Sequence, residues 1–261
     1  MKHARMVFFF VLFLVSAGRG HALETSAHRQ LVVSVTGSWD DSRAEVYRFE
    51  GTAGEWKMVG RGVPAVVGEK GLAWDPEAAE RDGERAPKRE GDRRAPAGRF
   101  DLSGAMGFAS SRPPAVDVPF REIRTGTHCV DDPASVWYNR IVDEDEVPGY
   151  HGGMWKSSER MWMETGVYRL LLLVGYNTRD PKPGNGSCIF IHIWRGEGRA
   201  TAGCTAMAVQ DLEELLLWLS PEKRPELVQL PRDAYRRLWR RWGLPAPDFL
   251  EGADPVCRRT P

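Results

Sequence analysis

The run Gln30–Thr36 (QLVVSVT) places Leu31, Val33 and Val35 at every second position, the period of a strand with one buried face. A turn-rich GSWDDSR follows and AEVYRF resumes the pattern, so the two segments read as a hairpin. Two more short strands are expected at WKMVG and PAVVG, separated by glycine, which makes the N-terminal third β-rich. From Glu69 to Ala97 the chain is charged and rich in Gly, Pro and Ala, with no sustained apolar period; it reads as a long surface loop. GRFDL then opens another strand. The following segment is mixed, and one helix is expected around Ser157–Met163. The pattern clears again in YRLLLLVGYN and SCIFIHIW, two strands joined by TRDPKPGNG, whose Pro and Gly suit a loop between antiparallel neighbours. Beyond them, Val209, Leu212, Leu215, Leu216 and Leu219 recur at helical spacing, with acidic residues toward the N-terminal side. ELVQL supplies a closing strand and RDAYRRLWRRWG an amphipathic terminal helix that packs on the domain. No internal repeat is visible.

Residues 1–22 stand apart from this pattern. A short basic start, MKHAR, precedes a twelve-residue apolar run from Met6 to Ala17, and Gly20-His21-Ala22 offers a small-residue cleavage site. This is the layout of a secretory signal peptide, and twelve residues fall short of the roughly 20 that span a bilayer core. The expected organisation is a signal peptide at 1–22, one domain at 23–245 with its core at about 30–230, and a C-terminal tail at 246–261. The product is an exported protein of the periplasm or cell envelope, touching membrane only if the leader stays uncleaved. Without Lys2, Arg5 and Arg19 of the leader, 33 basic residues face 36 acidic ones, a balance that carries no nucleic-acid footprint.

Four cysteines, Cys129, Cys188, Cys204 and Cys257, suggest disulfides in an exported chain. If one is a nucleophile, three remain and one stays unpaired. Cys129 with Cys188 is the preferred pair because Cys257 sits in a polar tail, although spacing alone does not fix connectivity.

Candidate chemistry centres on IFIHIWRGEGRATAGCTAM (Ile189–Met207). His192 lies near the end of a buried strand, and eleven residues including Gly196, Gly198 and Gly203 lead to Cys204, so the chain can loop out and return beside the strand. A free thiol of pKa about 8.5 is only a few per cent thiolate at neutral pH and needs help. A neighbouring imidazole supplies a base, and a helix starting just after Cys204 would stabilise the anion with its positive end. Gly203 permits unusual backbone angles and close approach of an acyl group, and the N–H groups of Gly203, Cys204 or Thr205 are candidate oxyanion donors. Spacing alone leaves a second reading open, in which the histidine is a core residue and the cysteine a buried small apolar one.

The strand-borne His192, the TAGCTAM segment with Thr201, Gly203 and Cys204, the Leu-rich helix and the closing strand together resemble the L,D-transpeptidase catalytic domain family, YkuD. APAGRFDL (Ala95–Leu102) is similar to that family's Pro-x-Gly-x-Phe segment, and the resemblance runs from about Gln30 to Leu230. It implies a mainly β, α+β fold: a YkuD-like mixed β-sandwich with a helix after the catalytic cysteine. It also implies acyl transfer on peptidoglycan stem peptides. Cys204 attacks the carbonyl at the L-centre of a diamino acid and expels terminal D-alanine, and an amine from a second stem takes the acyl group to give a 3→3 cross-link. His192 moves protons in both halves. No metal, nucleotide or other cofactor is implied. One departure is that many members carry Arg or Asn two residues after the cysteine, where this chain has Ala206. Arg195 and Arg199 are candidates to replace that group.

Around the pair, Thr201, Thr205, Arg195, Trp194, Tyr176 and Asn177 are candidate substrate-binding residues. Trp194 would wall the donor groove, and Tyr176 and Asn177 would orient the imidazole or line the cleft. Asp131, Asp132 and His151 are weaker candidates to meet an acceptor amine, and Lys88 or Arg89 to hold a carboxylate. Three rival readings remain. Water as acceptor makes an L,D-carboxypeptidase, and the change at Ala206 fits a wall-binding module without catalysis. A zinc site from His128, Cys129, His151, His192 and Cys204 lacks any Cys-x-x-Cys or His-Glu-x-x-His spacing. A papain-like hydrolase would carry its cysteine before its histidine, the reverse of this chain.

Overall fold

The computed structural model describes residues 28–52, 54–83 and 85–253; the expected leader and Cys257 lie outside them. The predicted hairpin is present as β1 (Arg29–Thr36) and β2 (Arg43–Thr52), paired antiparallel from Arg29 against Gly51 to Thr36 against Ala44. The two short strands expected next are one, β3 (Glu55–Val66). Its register against β2 shifts between Val46 and Arg48, and Gly60 takes φ 72° there, so a bulge absorbs the break that reads as a strand end.

The supposed loop at Glu69–Ala97 also holds structure. β4 (Leu72–Trp74) pairs parallel with the start of β5 (Ala95–Gly107), and its three apolar residues are too few to show a period yet are fully enclosed. α1 (Pro76–Asp82) follows, with Pro76 in its first turn and the Asp75 carboxylate accepting from Ala78 N at 3.1 Å. Next come β6 (Phe120–Glu122), β7 (Thr127–Val130), β8 (Ile141–Asp143) and β9 (Ser158–Arg160). The last replaces the helix expected at Ser157–Met163. His128, Cys129 and Val130 of β7 offer it a ladder, and this long-range pairing overrides a helix-compatible local sequence.

β10 (Leu170–Val174), β11 (Phe190–Ile193), β12 (Thr205–Met207) and β13 (Glu226–Pro231) complete the strands, with α2 (Val209–Trp218) packed against β10 and β11 and α3 (Arg232–Trp242) against β1 and β13. The main sheet runs β10-β11-β12-β3-β2-β1-β13-β5, and β10 pairs again with β5, so the eight strands close into a ring. β7 stands between β8 and β9 in a separate three-stranded sheet. Both faces of these strands carry buried aliphatic side chains: Leu172 and Ile191 face the ring interior with α2, and Leu31, Val33 and Leu230 face the opposite side with Tyr47, Phe49 and Tyr235 of α3, each aliphatic worth roughly 1.5–3 kcal/mol on full burial. α2 adds Leu212, Leu215 and Leu216 to that core. Residues 247–253 form a 3-10 turn whose Phe249 ring meets Tyr47 at 4.7 Å and Tyr235 at 5.5 Å. The architecture is the mainly β, mixed-sheet α+β fold that the sequence implies.

Candidate active site

Alternation along β11 decides which side chains enter the ring. Ile191 and Ile193 join the inner core, while Phe190 belongs to a second apolar cluster on the outer face with Leu171 of β10 and Met106 of β5. His192 shares the face of Phe190, being two residues along the same strand. The three-stranded sheet covers this outer face through Cys129, and Ile123 and Met161, flanking that sheet, join the same cluster. β12 lies parallel to β11, with Ala206 opposite His192 and Thr205 opposite Ile191. Cys204 immediately precedes that ladder and belongs to the outer cluster.

The turn before β12 is built by Thr201. Its hydroxyl donates to Cys204 O at 2.6 Å and accepts from Gly203 N at 3.1 Å, while its own backbone N–H reaches Val67 O at 3.0 Å. Gly203 is required for room: its φ is not left-handed, and a Cβ there would stand 3.2 Å from Arg94 O. Its N–H is engaged by Thr201, whereas no hydrogen bond among the described residues engages the Cys204 N–H. The candidate oxyanion donor is therefore the Cys204 amide rather than that of Gly203.

Cys204 is the free cysteine among the described residues, and Cys129 and Cys188 are joined in a disulfide. The Cys204 thiol donates to Cys188 O at 3.2 Å and accepts from Phe190 N at 3.4 Å. Burial pushes its pKa far above the ordinary thiol range, and the charge of Glu159 adds to the rise. The helix expected to start at the cysteine starts at Val209, beyond β12, so its positive end is not at the sulfur. The resting group is a protonated thiol. Burial, with the charge of nearby Arg195, brings His192 down to about 4 against a backbone hydrogen bond that raises it. Its Nδ1 faces Ile193 O at 2.8 Å, so Nδ1 carries the proton and Nε2 is the basic nitrogen of a neutral ring. A neutral thiol and a neutral imidazole lining one cavity suit proton removal during attack, not a preformed ion pair.

Cys204 and His192 line one cavity of about 490 Å³. Thr201, Gly203, Trp194, Arg195 and Arg199 line it too, as does Ala206. Lys88 is buried at its edge, where its ammonium donates to Asp92 Oδ1 at 2.7 Å, the aspartate just downstream. Arg89 is exposed and outside the lining. Thr205 points elsewhere, donating to Gln229 Oε1 at 2.7 Å. Tyr176 packs edge-on against Phe100 at 5.6 Å, and the Asn177 amide ties its own loop together at Lys182 and Gly186, so neither meets the imidazole. Asp131 lines the cavity, Asp132 caps a turn by accepting from Ala134 N and Lys156 N, and His151 is exposed. His128 is engaged by Ser158 and Glu144 rather than gathered with the other sulfur and imidazole groups. Among the cavity residues that the sequence reading did not single out are Glu159, Arg160 and Tyr168. The Tyr168 ring stands edge-to-face on His192 at 5.2 Å. Glu159 and Arg160 lie in the polar SER step inside WKSSERMW, which has no defined face without the β7 ladder.

The L,D-transpeptidase catalytic domain model, YkuD, matches residues 40–229. The chain belongs to that family. No curated protein and no solved structure matches it. The match runs from β2 into β13 and takes in the three-stranded sheet and every residue lining the cavity, so the cavity is that of an L,D-transpeptidase-family domain. Within this family domain, Ala206 directly opposes His192 and is fully buried, leaving only a methyl group where many members carry a longer polar side chain.

Proposed function

We propose that this chain is a cysteine-dependent L,D-transpeptidase acting on peptidoglycan stem peptides. The observation that carries the reading is that Cys204 and His192 line one cavity, His192 on β11 and Cys204 at the start of the parallel strand β12 beside it. Cys204 Sγ attacks the carbonyl of the stem's diamino acid as its proton passes to His192 Nε2. The Cys204 N–H receives the developing oxyanion, an interaction worth roughly 3 kcal/mol in comparable sites. The C–N bond to D-alanine breaks, the imidazolium returns its proton to the leaving amine, and a thioester remains. An amine of a second stem then displaces the thiol. Arg195 and Arg199 at the cavity mouth make no salt bridge among the described residues and suit the stem's carboxylates. Trp194 walls the groove.

Export fits the same reading. The wall lies outside the cytoplasm, the disulfide needs an oxidising compartment, and the first 22 residues have the layout of a leader. Incubation with disaccharide tetrapeptides is the test. The expected products are cross-linked dimers, with a thioester adduct visible by intact mass; tripeptides without dimers would make the chain an L,D-carboxypeptidase, and no adduct would remove the enzyme.

A further inference from the structure

Among the described residues, no salt bridge joins one charged residue of the cavity lining to another; Lys88 and Arg93 pair instead with Asp92 and Glu69, outside the lining. Asp131 keeps a buried Oδ1 without a hydrogen-bond partner, and Arg160, Arg195 and Arg199 form no salt bridge among the described residues. Glu159 is the carboxylate tied most closely to the reacting groups. It stands on β9 opposite Cys129, Cys129 is bonded to Cys188, and the Cys188 carbonyl accepts from the Cys204 thiol at 3.2 Å. Its Oε2 accepts from the hydroxyl of Tyr168, whose ring packs on His192. Its Oε1 has no hydrogen-bond partner among the described residues, and no cation lies within salt-bridge distance.

The second half of an acyl transfer sets a problem that a single imidazole does not solve. An alkyl ammonium of pKa about 10 is deprotonated to roughly one part in a thousand at pH 7, so it needs one base to become a nucleophile. It needs a second to lose the next proton during attack. Water as acceptor needs only one. Burial raises Glu159 to about 7, with the charges of Asp131 and Glu90 adding to it and the Tyr168 hydrogen bond opposing. A carboxylate there is a stronger base than an ordinary one and half ionised at neutral pH.

We propose that Glu159 is the catalytic base that takes the first proton from the acceptor ammonium, an inference that rests on the acyl-enzyme reading above. The Glu159 carboxylate accepts one proton from R–NH3+, and the freed lone pair attacks the thioester carbon. The adduct's second N–H proton passes to His192 Nε2, the C–S bond breaks, and His192 protonates the Cys204 thiolate. Glu159 releases its proton to solvent, so thioester and ammonium become amide, thiol and one proton. Glu159 thereby favours amine over water.

The experiment compares Glu159→Gln with the unmodified chain on disaccharide tetrapeptides, measuring the ratio of cross-linked to hydrolysed product and the thioester by intact mass. The expected result at pH 7 is a ratio lowered at least tenfold while the thioester still forms. Hydroxylamine, already neutral at that pH, should capture the thioester equally well in both proteins. In the unmodified chain the ratio should rise through about pH 7. The groups that act on Glu159 are the Tyr168 hydroxyl and the charges of Asp131, Glu90 and Arg195, and Glu159 in turn acts on Cys204. Tyr168→Phe removes the hydrogen bond that favours the ionised form and should move that midpoint upward, a readout that also serves if Glu159→Gln does not fold. An unchanged ratio, an equal loss of hydroxylamine capture, or an unmoved midpoint overturns the proposal. No thioester in the unmodified chain defeats the underlying reading instead.

Discussion

In the ring, Leu31, Val32 and Val33 of β1 are wholly enclosed by apolar neighbours, whereas the β8-β7-β9 sheet encloses Asp143, Thr127 and His128 beside its few apolar residues. Its buried cluster of its own is Val130, Val142 and Val147, too small to hold three strands by apolar burial. Charge-assisted bonds replace the missing core. Arg121 and Arg124 each reach Asp143 at 2.7 Å, and His128 bonds Glu144 and Ser158. The Cys129–Cys188 bridge then fastens this sheet to the segment leading into β11. The candidate site lies at that seam, with its sulfur and imidazole on the ring side and Glu159 on the other. A well-packed scaffold can thus hold the reacting pair while a lightly packed sheet shapes what approaches it.

The sharpest way to break this division is Cys204→Ala. It should abolish the thioester adduct on intact-mass analysis, for a carbapenem as for a tetrapeptide, while circular dichroism stays unchanged; residual adduct would move the chemistry elsewhere. Next in size is the double change Cys129→Ser and Cys188→Ser. Its 59-residue separation corresponds to about 4 kcal/mol of lost stabilisation on a chain-entropy estimate. Hydrogen exchange should then show protection lost first in β7 and β9 and retained in β1, β2 and β13; uniform loss would deny that the two regions differ. Gly203→Ala places a methyl 3.2 Å from Arg94 O and should cost about 1–2 kcal/mol in thermal unfolding, with slower adduct formation.

The smallest expected effect is set by pH. Burial alone would raise Asp143, but Thr127, Arg124 and Arg121 bring it down to about 2. Because its pKa is lower folded than unfolded, near 3.9, its contribution is complete above about pH 4 and is lost as pH falls toward about 2. Acid titration followed by exchange should loosen the three-stranded sheet before the ring, and Asp143→Asn should remove the difference.

The same contrast explains what could be read from the sequence. β1, β2, β10, β11 and β13 carry alternating or continuous apolar runs because their faces are set by the ring's buried sides, and α2 and α3 show their period for the same reason. β3 looked like two strands because Gly60 carries the chain through a bulge. β4 and α1 hid in charged text because Trp74 and Leu72 are held by pairing rather than by a pattern. β9 was mistaken for a helix because its ladder partner lies some thirty positions upstream. At the site, His192 and Cys204 were visible as residue types flanking a glycine-containing loop. The neutral resting pair, the three residues of β12 ahead of the helix and the place of Glu159 were not, since each depends on burial or long-range pairing.

Closure of the ring has one more consequence. Among the described residues, the border strands β4, β6, β8 and β9 are each three residues long, and the edge of β3 that runs past its two-residue pairing with β12 is bulged at Gly60 and carries Lys57, Arg61 and Pro64. Such edges offer a passing chain almost no ladder to extend, so the fold resists edge-on growth into fibrils or sheets with its neighbours.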